Sequence, residues 1–206
     1  MIIPPTHRRQ KSGPPAFYND LDRSLDEAWR MLFQGGIDRL APFHTLQIAT
    51  IGNDGFPQAR TVVLRGCDPI GRRLRIHTDR RAGKTAELQT DPRASIHAYA
   101  PDRKIQVRLQ CRVSVHLDGP LWEKSWAETR DFSRECYRVV DASAAPLAAP
   151  EQAVFDPGQT NDGADNFAVL LAEVSSLEWL YLAATGHRRA KFEWDEAGWH
   201  GTWLVP

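Results

Sequence analysis

The chain has 206 residues, 42% of them apolar and 25% charged, with Lys plus Arg matching Asp plus Glu at 26 each. That length suits one domain with a sizeable core, or one domain and a small appendage, and the charge balance leaves no bulk field to gather nucleic acid or an anionic membrane. No apolar run reaches the ~20 residues of a membrane helix, and MIIPPTHRRQKSGPP lacks the apolar stretch of a signal peptide, so a cytoplasmic setting is expected.

Residues 1–16, polar and rich in proline, are expected to form a flexible arm ahead of one domain spanning 17–206. Asn19 is placed to cap a helix carrying Leu21, Leu25, Ala28, Trp29, Leu32 and Phe33 at helical spacing, which Gly35-Gly36 should stop. A β-rich block follows. His44–Ile51 reads as a strand, Asn53-Asp54-Gly55 as a hairpin turn and Pro57–Arg65 as the returning strand. After a turn at Asp68-Pro69-Ile70-Gly71 comes a strand at Arg72–Thr78. Ala82–Thr90 reads as a short helix ended by Asp91-Pro92. Ala94–Tyr99 and Ile105–Leu117 are strands, the second burying Ile105, Val107, Leu109, Cys111, Val113 and Val115 on one face. Pro120 opens a helix to about Phe132. Residues 141–165, rich in Ala, Pro, Asp and Gly, read as a long surface loop. Phe167–Leu182 reads as a long strand, with room for a bend, and Arg188–Trp194 with Trp199–Leu204 as a last hairpin around Glu196-Ala197-Gly198. A strand meander with few helices favours a closed antiparallel barrel over a doubly wound sheet.

Cys67, Cys111 and Cys136 are odd in number and form no CxxC pair, so reduced thiols are expected, with neither disulfide nor metal site. Two clusters could carry chemistry. In Arg60–Arg65, Arg60, Val62 and Leu64 share one face and Thr61, Val63 and Arg65 the other. Arg60 and Arg65 are as ordinary on an edge strand as in an anion site. In His77-Thr78-Asp79-Arg80-Arg81-Ala82-Gly83-Lys84 a strand turns into a helix. A helix start offers free N–H groups and a positive dipole end, with Thr78 and Lys84 adding a hydroxyl and a charge. No Walker A or GxGxxG pattern occurs, so ATP or NAD loops are not supported.

These segments resemble the pyridoxamine 5′-phosphate oxidase family, which shows R-x-V-L-L-K, then Y-T, then S-R-K at a helix start, and later R-Q-V. The counterparts are Arg60–Arg65, His77-Thr78, Ala82-Gly83-Lys84 and Ile105-Gln106-Val107. Near the C-terminus, Trp179 precedes His187 by eight residues, His187-Arg188-Arg189 stands for H-D-R, and Gly198-Trp199 with Trp203-Leu204-Val205-Pro206 stands for G-W-x-x-x-R-L-x-P. The resemblance runs from about residue 20 to the C-terminus.

The resemblance implies a mainly β fold, a six-stranded antiparallel split β-barrel with flanking helices, that binds FMN at the interface of a homodimer. It implies that Arg60 and Lys84, with Thr78, hold the phosphate. The backbone of Val62, Val63 and Leu64, together with Arg65, His77 and Thr78, would line the rest of the cofactor, and Gly83 would leave a backbone N–H for the phosphate. Gln106 would hydrogen-bond the flavin, and Trp179 and Arg189 would complete the site from the second subunit. His187 and Arg130 are the candidates for substrate contact. The family's Ser and Arg before the helix lysine are Ala82 and Gly83 here. Its Arg two residues before the His is Thr185, which removes a substrate-phosphate contact. Trp126, Arg130 and Arg134 stand where the family's other substrate-phosphate residues lie.

The expected function is an FMN-dependent oxidoreductase on a small molecule, with hydride transfer to flavin N5 and no obligatory acid–base pair among its residues. Two alternatives stand beside it. One is a true pyridoxamine/pyridoxine phosphate oxidase whose phosphate grip is rearranged onto Arg130 and Arg134. The other is a non-enzymatic split barrel that stores FMN or binds heme, although CxxCH is absent.

Overall fold

The computed structural model describes residues 14–153 and 163–206. Most of the N-terminal arm, and residues 154–162 of the expected loop, lie outside the described residues.

Helix α1 (Leu21–Ile37) starts one residue later than Asn19 suggests. Asp20 is the cap, its carboxylate accepting from the Arg23 N–H at 3.0 Å. Asn19 instead accepts from Arg188 Nε at 2.9 Å. Gly35 and Gly36 do not stop the helix, which runs on to Ile37 with Asp38 as its C-cap. Their role is close approach. A Cβ on Gly35 would lie 2.4 Å from the Phe43 carbonyl oxygen, and one on Gly36 would lie 3.1 Å from the Cys67 backbone nitrogen.

The strands are β1 (Thr45–Ile51), β2 (Pro57–Asp68), β3 (Arg73–Asp79), β4 (Arg93–Ala100), β5 (Ile105–His116), β6 (Phe167–Tyr181), β7 (Arg188–Asp195) and β8 (Gly198–Leu204). They pair in the order β3-β2-β1-β4-β5-β6-β7-β8, every pair antiparallel, and β3 also pairs with β6. That pairing closes six strands into a barrel and leaves β7–β8 as a hairpin extending from β6. The hairpin at Asn53-Asp54-Gly55 forms as the sequence suggests, with Gly55 at φ +82°. Helix α2 (Gly83–Thr90) covers the barrel beside β1 and β5, α1 lies on β2, and α3 (Gly119–Glu128) packs on β5 and β6. The helix expected to reach Phe132 breaks at Thr129, and a single turn follows at Asp131–Arg134.

The alternation read in β5 holds, with Ile105, Val107, Leu109, Cys111 and Val113 buried. The barrel interior also holds Leu46, Ile48, Leu64, Ile76, Ile96 and Leu170, all fully buried. Each contributes about 1.5–3 kcal/mol of transfer free energy. Two bulges tune this core. Arg65 is the extra residue where the β2–β3 register shifts between Leu64 and Gly66. In β6 the shift falls at Ser175, opposite Gln110 and Cys111. A one-residue slip reverses which side chains face in. Leu170, Ala172 and Val174 therefore point inward before the bulge, and Leu177 and Trp179 after it. A second cluster of Trp126, Tyr137, Phe167 and Val169 lies outside the barrel, between β6 and α3.

Candidate functional site

Upstream of Leu64, β2 pairs with β1 alone, because the β2–β3 ladder begins at Leu64 and Ile76. Beyond Ile76, residues His77, Thr78 and Asp79 pair only with β6. The sheet thus opens between Arg60–Val63 and His77–Asp79, leaving a strand edge with unpaired backbone groups. Helix α2 starts at this opening. Its N-cap, Ala82, makes no side-chain cap bond, so its first N–H groups are left for another acceptor.

Lys84 is the cation at this corner. Its Nζ donates to Thr78 Oγ1 at 2.9 Å. It forms no ion pair among the described residues, and burial, then the nearby Arg60 charge, lower its pKa. Arg60 points toward the barrel end. Its Nη2 meets Glu87 Oε2 at 2.8 Å, and its Nη1 donates to the Gln58 carbonyl at 2.9 Å and to Thr50 Oγ1. Thr50 Oγ1 also donates to Glu87. Arg60 is therefore shared with an internal carboxylate, and Lys84 is not.

Thr78 and Lys84 line a cavity of about 460 Å³ with His77, Asp79, Ala82 and, across it, Cys136, Tyr137, Val139, residues 141–145 and Leu147. The His77 ring is held edge-on to Phe167 at 4.9 Å. Burial, then Arg75 and Arg65, push its pKa down to about 3, so it stays neutral. Its Nε2 is buried without a hydrogen-bond partner. Arg65, exposed at the β2 bulge, lies near enough to His77 and Tyr137 to lower the pKa of each, and it forms no ion pair among the described residues. Val62 and Leu64 point into the core, whereas Val63 lies on the outward face. Gly83 opens α2, and a Cβ there would meet only Glu87 Oε1, at 3.4 Å.

The C-terminal candidates gather elsewhere. Gln106 pairs with Leu180, and Leu180 with Arg189, so Gln106 and Arg189 share one outer face across β5, β6 and β7. Arg189 Nη2 binds Glu178 Oε1 at 2.8 Å, while its Nε is buried and unpartnered. His187 and Arg189 line a second cavity, of about 520 Å³, with Asn19, Arg188 and the 203–206 tail. Tyr18 steadies the loop before His187 by donating to the Gly186 carbonyl at 2.8 Å.

Trp179 lies apart from both cavities. The β6 bulge turns it inward, where it is fully buried, edge-on to Phe17 at 5.6 Å and stacked with Tyr181 at 6.0 Å. In the single chain it packs in the core. Arg130 joins neither cavity lining. It is exposed, and its side chain makes no hydrogen bond or ion pair among the described residues. Arg134 is occupied by the Trp126 carbonyl at 2.9 Å and by the Trp126 ring at 4.6 Å.

Sequence reasoning passed over Glu87 and Arg81. Glu87 stands one helical turn after Lys84, which was the available signal. Arg81 reads in sequence as one more charge of a basic run. Burial pushes the Cys67 and Cys111 thiols up to about 12 and raises Cys136, which disfavours the thiolate in each.

The residues present fit a flavin phosphate. A half-buried ammonium with no ion pair among the described residues, a hydroxyl, helix N–H groups at an uncapped start and an open strand edge meet in one place. A six-stranded antiparallel barrel of this kind, with flanking helices, is a split barrel of the pyridoxamine phosphate oxidase type.

Residues 26–117 match the model of the pyridoxamine 5′-phosphate oxidase FMN-binding domain. Pyridoxine/pyridoxamine 5′-phosphate oxidase 2 of Arabidopsis thaliana is 30% identical over 167 residues, covering 75% of this chain and 83% of that protein. The pyridoxine/pyridoxamine 5′-phosphate oxidase of Burkholderia lata is 31% identical over 127 residues, 55% of this chain and 54% of that protein. Two solved structures share the fold. A pyridoxamine 5′-phosphate oxidase-related, FMN-binding protein of Nostoc punctiforme superposes with TM-score 0.73 at 21% identity, covering 95% of this chain and all of that one. PhzG of Burkholderia lata, in complex with tetrahydrophenazine-1-carboxylic acid, superposes with TM-score 0.70 at 19% identity, covering 95% and 98%. The chain belongs to the pyridoxamine 5′-phosphate oxidase family of FMN-binding split barrels.

Among the described residues no helix is long and apolar enough to cross a membrane, and no cluster of His, Cys, Asp and Glu could hold a metal ion.

Proposed function

We propose that this chain is a cytoplasmic FMN-dependent oxidoreductase acting on a small molecule, with residues 17–206 as its working unit and a homodimer as its working form. The observation that carries the reading is the Lys84–Thr78 pair at the open edge of β2, a cation held half-buried with no ion pair among the described residues. In this reading Lys84, Thr78 and the first N–H groups of α2 hold the FMN phosphate, and Arg60, fixed by Glu87, adds to the local field. The β2 edge with Arg65 and neutral His77 would line the ring system. FMN held there would supply the redox chemistry, with N5 as hydride acceptor and oxygen or another acceptor as reoxidant.

The chain's own residues bind and orient. Gln106, Arg189 and His187 sit on a different face from Lys84, and this division supports a site completed between two copies, each giving one half. His187, exposed on a loop steadied by Tyr18, is free to meet the substrate.

The reading as a true pyridoxamine phosphate oxidase is weaker. Thr185 brings no charge, and Arg134 is engaged with Trp126, which leaves Arg130 alone of the proposed grip. The purified protein is expected to show a flavin spectrum and to release FMN on denaturation. A heme Soret band, or an apoprotein that takes up no FMN, overturns the assignment. Pyridoxamine phosphate is expected to be a poor substrate. A kcat/KM of ~10⁴ M⁻¹s⁻¹ or more would favour the oxidase reading.

A further inference from the structure

The Lys84 cavity has one wall outside the barrel, formed by Val139, residues 141–145, Leu147 and Ala153. One side chain reaches from the barrel to that wall with several bonds. Arg81 grips the Asp79 carboxylate through Nε at 3.0 Å and Nη2 at 2.7 Å. Nη2 also donates to the Val139 carbonyl at 3.0 Å, and Nη1 to the Val140 carbonyl at 2.9 Å. Four of the five guanidinium N–H groups are thereby committed. Two consecutive carbonyls and a carboxylate around one planar fork make a seat that an ammonium does not reproduce. Behind Val139 the wall is pinned at Tyr137, whose carbonyl accepts from Asn166 Nδ2 at 2.8 Å and whose ring meets Phe167 and Trp126. Past Val140, residues 141–147 make no hydrogen bond to the barrel among the described residues, and Asp141 adds an electrostatic attraction to the same Arg81.

The same guanidinium settles an electrostatic conflict. Asp79 lines the cavity beside Lys84 and Thr78, and Asp141 lines it too. An unpaired Asp79 carboxylate would oppose any anion there.

We propose that Arg81 is a positioning residue of this site. It seats the 139–147 wall over Lys84 and Thr78 and cancels the Asp79 charge, so that a phosphate-bearing ligand is enclosed in a corner where Lys84 dominates. The identity of the ligand rests on the FMN reading above; the wall itself does not.

Three variants separate the two roles: Arg81→Ala, Arg81→Lys, and Arg81→Ala combined with Asp79→Asn. Thermolysin digestion of the ligand-free protein, with cleavage sites mapped by mass spectrometry, reads the wall. All three variants should be cut within residues 138–153 about tenfold faster than the parent, the loss expected when charge-assisted bonds to carbonyls are removed. FMN titration and dissociation after dilution read the charge. Arg81→Ala should weaken FMN about tenfold or more. Arg81→Lys and the double variant should recover most of the affinity yet release FMN as fast as Arg81→Ala. Riboflavin affinity should change little in all three. Unchanged thermolysin cleavage in Arg81→Ala and Arg81→Lys overturns the seat, and an affinity that Asp79→Asn does not restore overturns the charge role. If the wall loosens but even the parent protein takes up no FMN, the seat stands and the FMN reading falls.

Discussion

Replacing Lys84 with alanine removes a cation at the α2 corner that forms no ion pair among the described residues. Its Nζ donates to Thr78 Oγ1 at 2.9 Å, with Asp79 and Glu87 near enough to act on its charge, while Arg60 is tied directly to Glu87. A charge-assisted contact contributes about 1.5–3 kcal/mol, or about 10–150-fold in affinity. The site lies toward the upper part of that range, because Lys84 is half-buried and weakly screened, and because Ala82 and Gly83 bring no side-chain donor. Riboflavin lacks the phosphate, so its affinity should move by less than about threefold. Fluorescence titration of the apoprotein with each ligand checks this. Equal weakening of both ligands would make Lys84 a structural residue, and no weakening of either would place the phosphate elsewhere. The apoprotein offers a second check with the opposite sign. The folded-state pKa of Lys84 lies below its unfolded value, so the buried charge is a net cost at neutral pH, and the cost fades as pH rises through the folded value. Lys84→Met should therefore raise the apoprotein's urea midpoint at pH 7 while weakening FMN binding.

His77 is neutral when folded, with a pKa near 3 against 6.5 unfolded. Its contribution to stability should be flat above pH 6.5 and fall as pH drops toward 3; urea midpoints across that window should decline less in His77→Gln. Gly35→Ala drives a Cβ to 2.4 Å from the Phe43 carbonyl oxygen, and should cost about 2–3 kcal/mol in denaturant titrations. A dimer is expected in solution, and light scattering that gives a 23.3 kDa particle still carrying FMN would refute the shared site.

The barrel was largely legible because its strands announce themselves by period two, as β5 does from Ile105 to Val113. Departures came where tertiary contact overrode local preference. Gly35 and Gly36 look like a helix stop, yet Phe43 and Cys67 need the space their missing side chains leave. Trp179 looked like a ligand residue, but a one-residue bulge at Ser175 turned it into the core, and no local signal marks that bulge. The cationic corner was visible as residue types. That Arg60 would be tied by Glu87, and Arg81 by a segment some sixty positions away, depends on how distant pieces come to lie together.

The pairing of β3 with β6 also orders the assembly of the molecule in time. Arg60 and Glu87 are 27 positions apart, Arg81 and Val139 are 58, and Arg72 and Glu173, at the barrel seam, are 101. Loop-closure entropy grows with the logarithm of such spans, so each step costs only slightly more than the last, but each waits on more chain. During synthesis the residues of the cationic corner emerge together, the wall follows, and the seam closes only after β6 has left the ribosome. A chain released before β6 would present the β3 edge unpaired, an exposed template for other strands, which makes the last forty residues guardians of the solubility of everything before them.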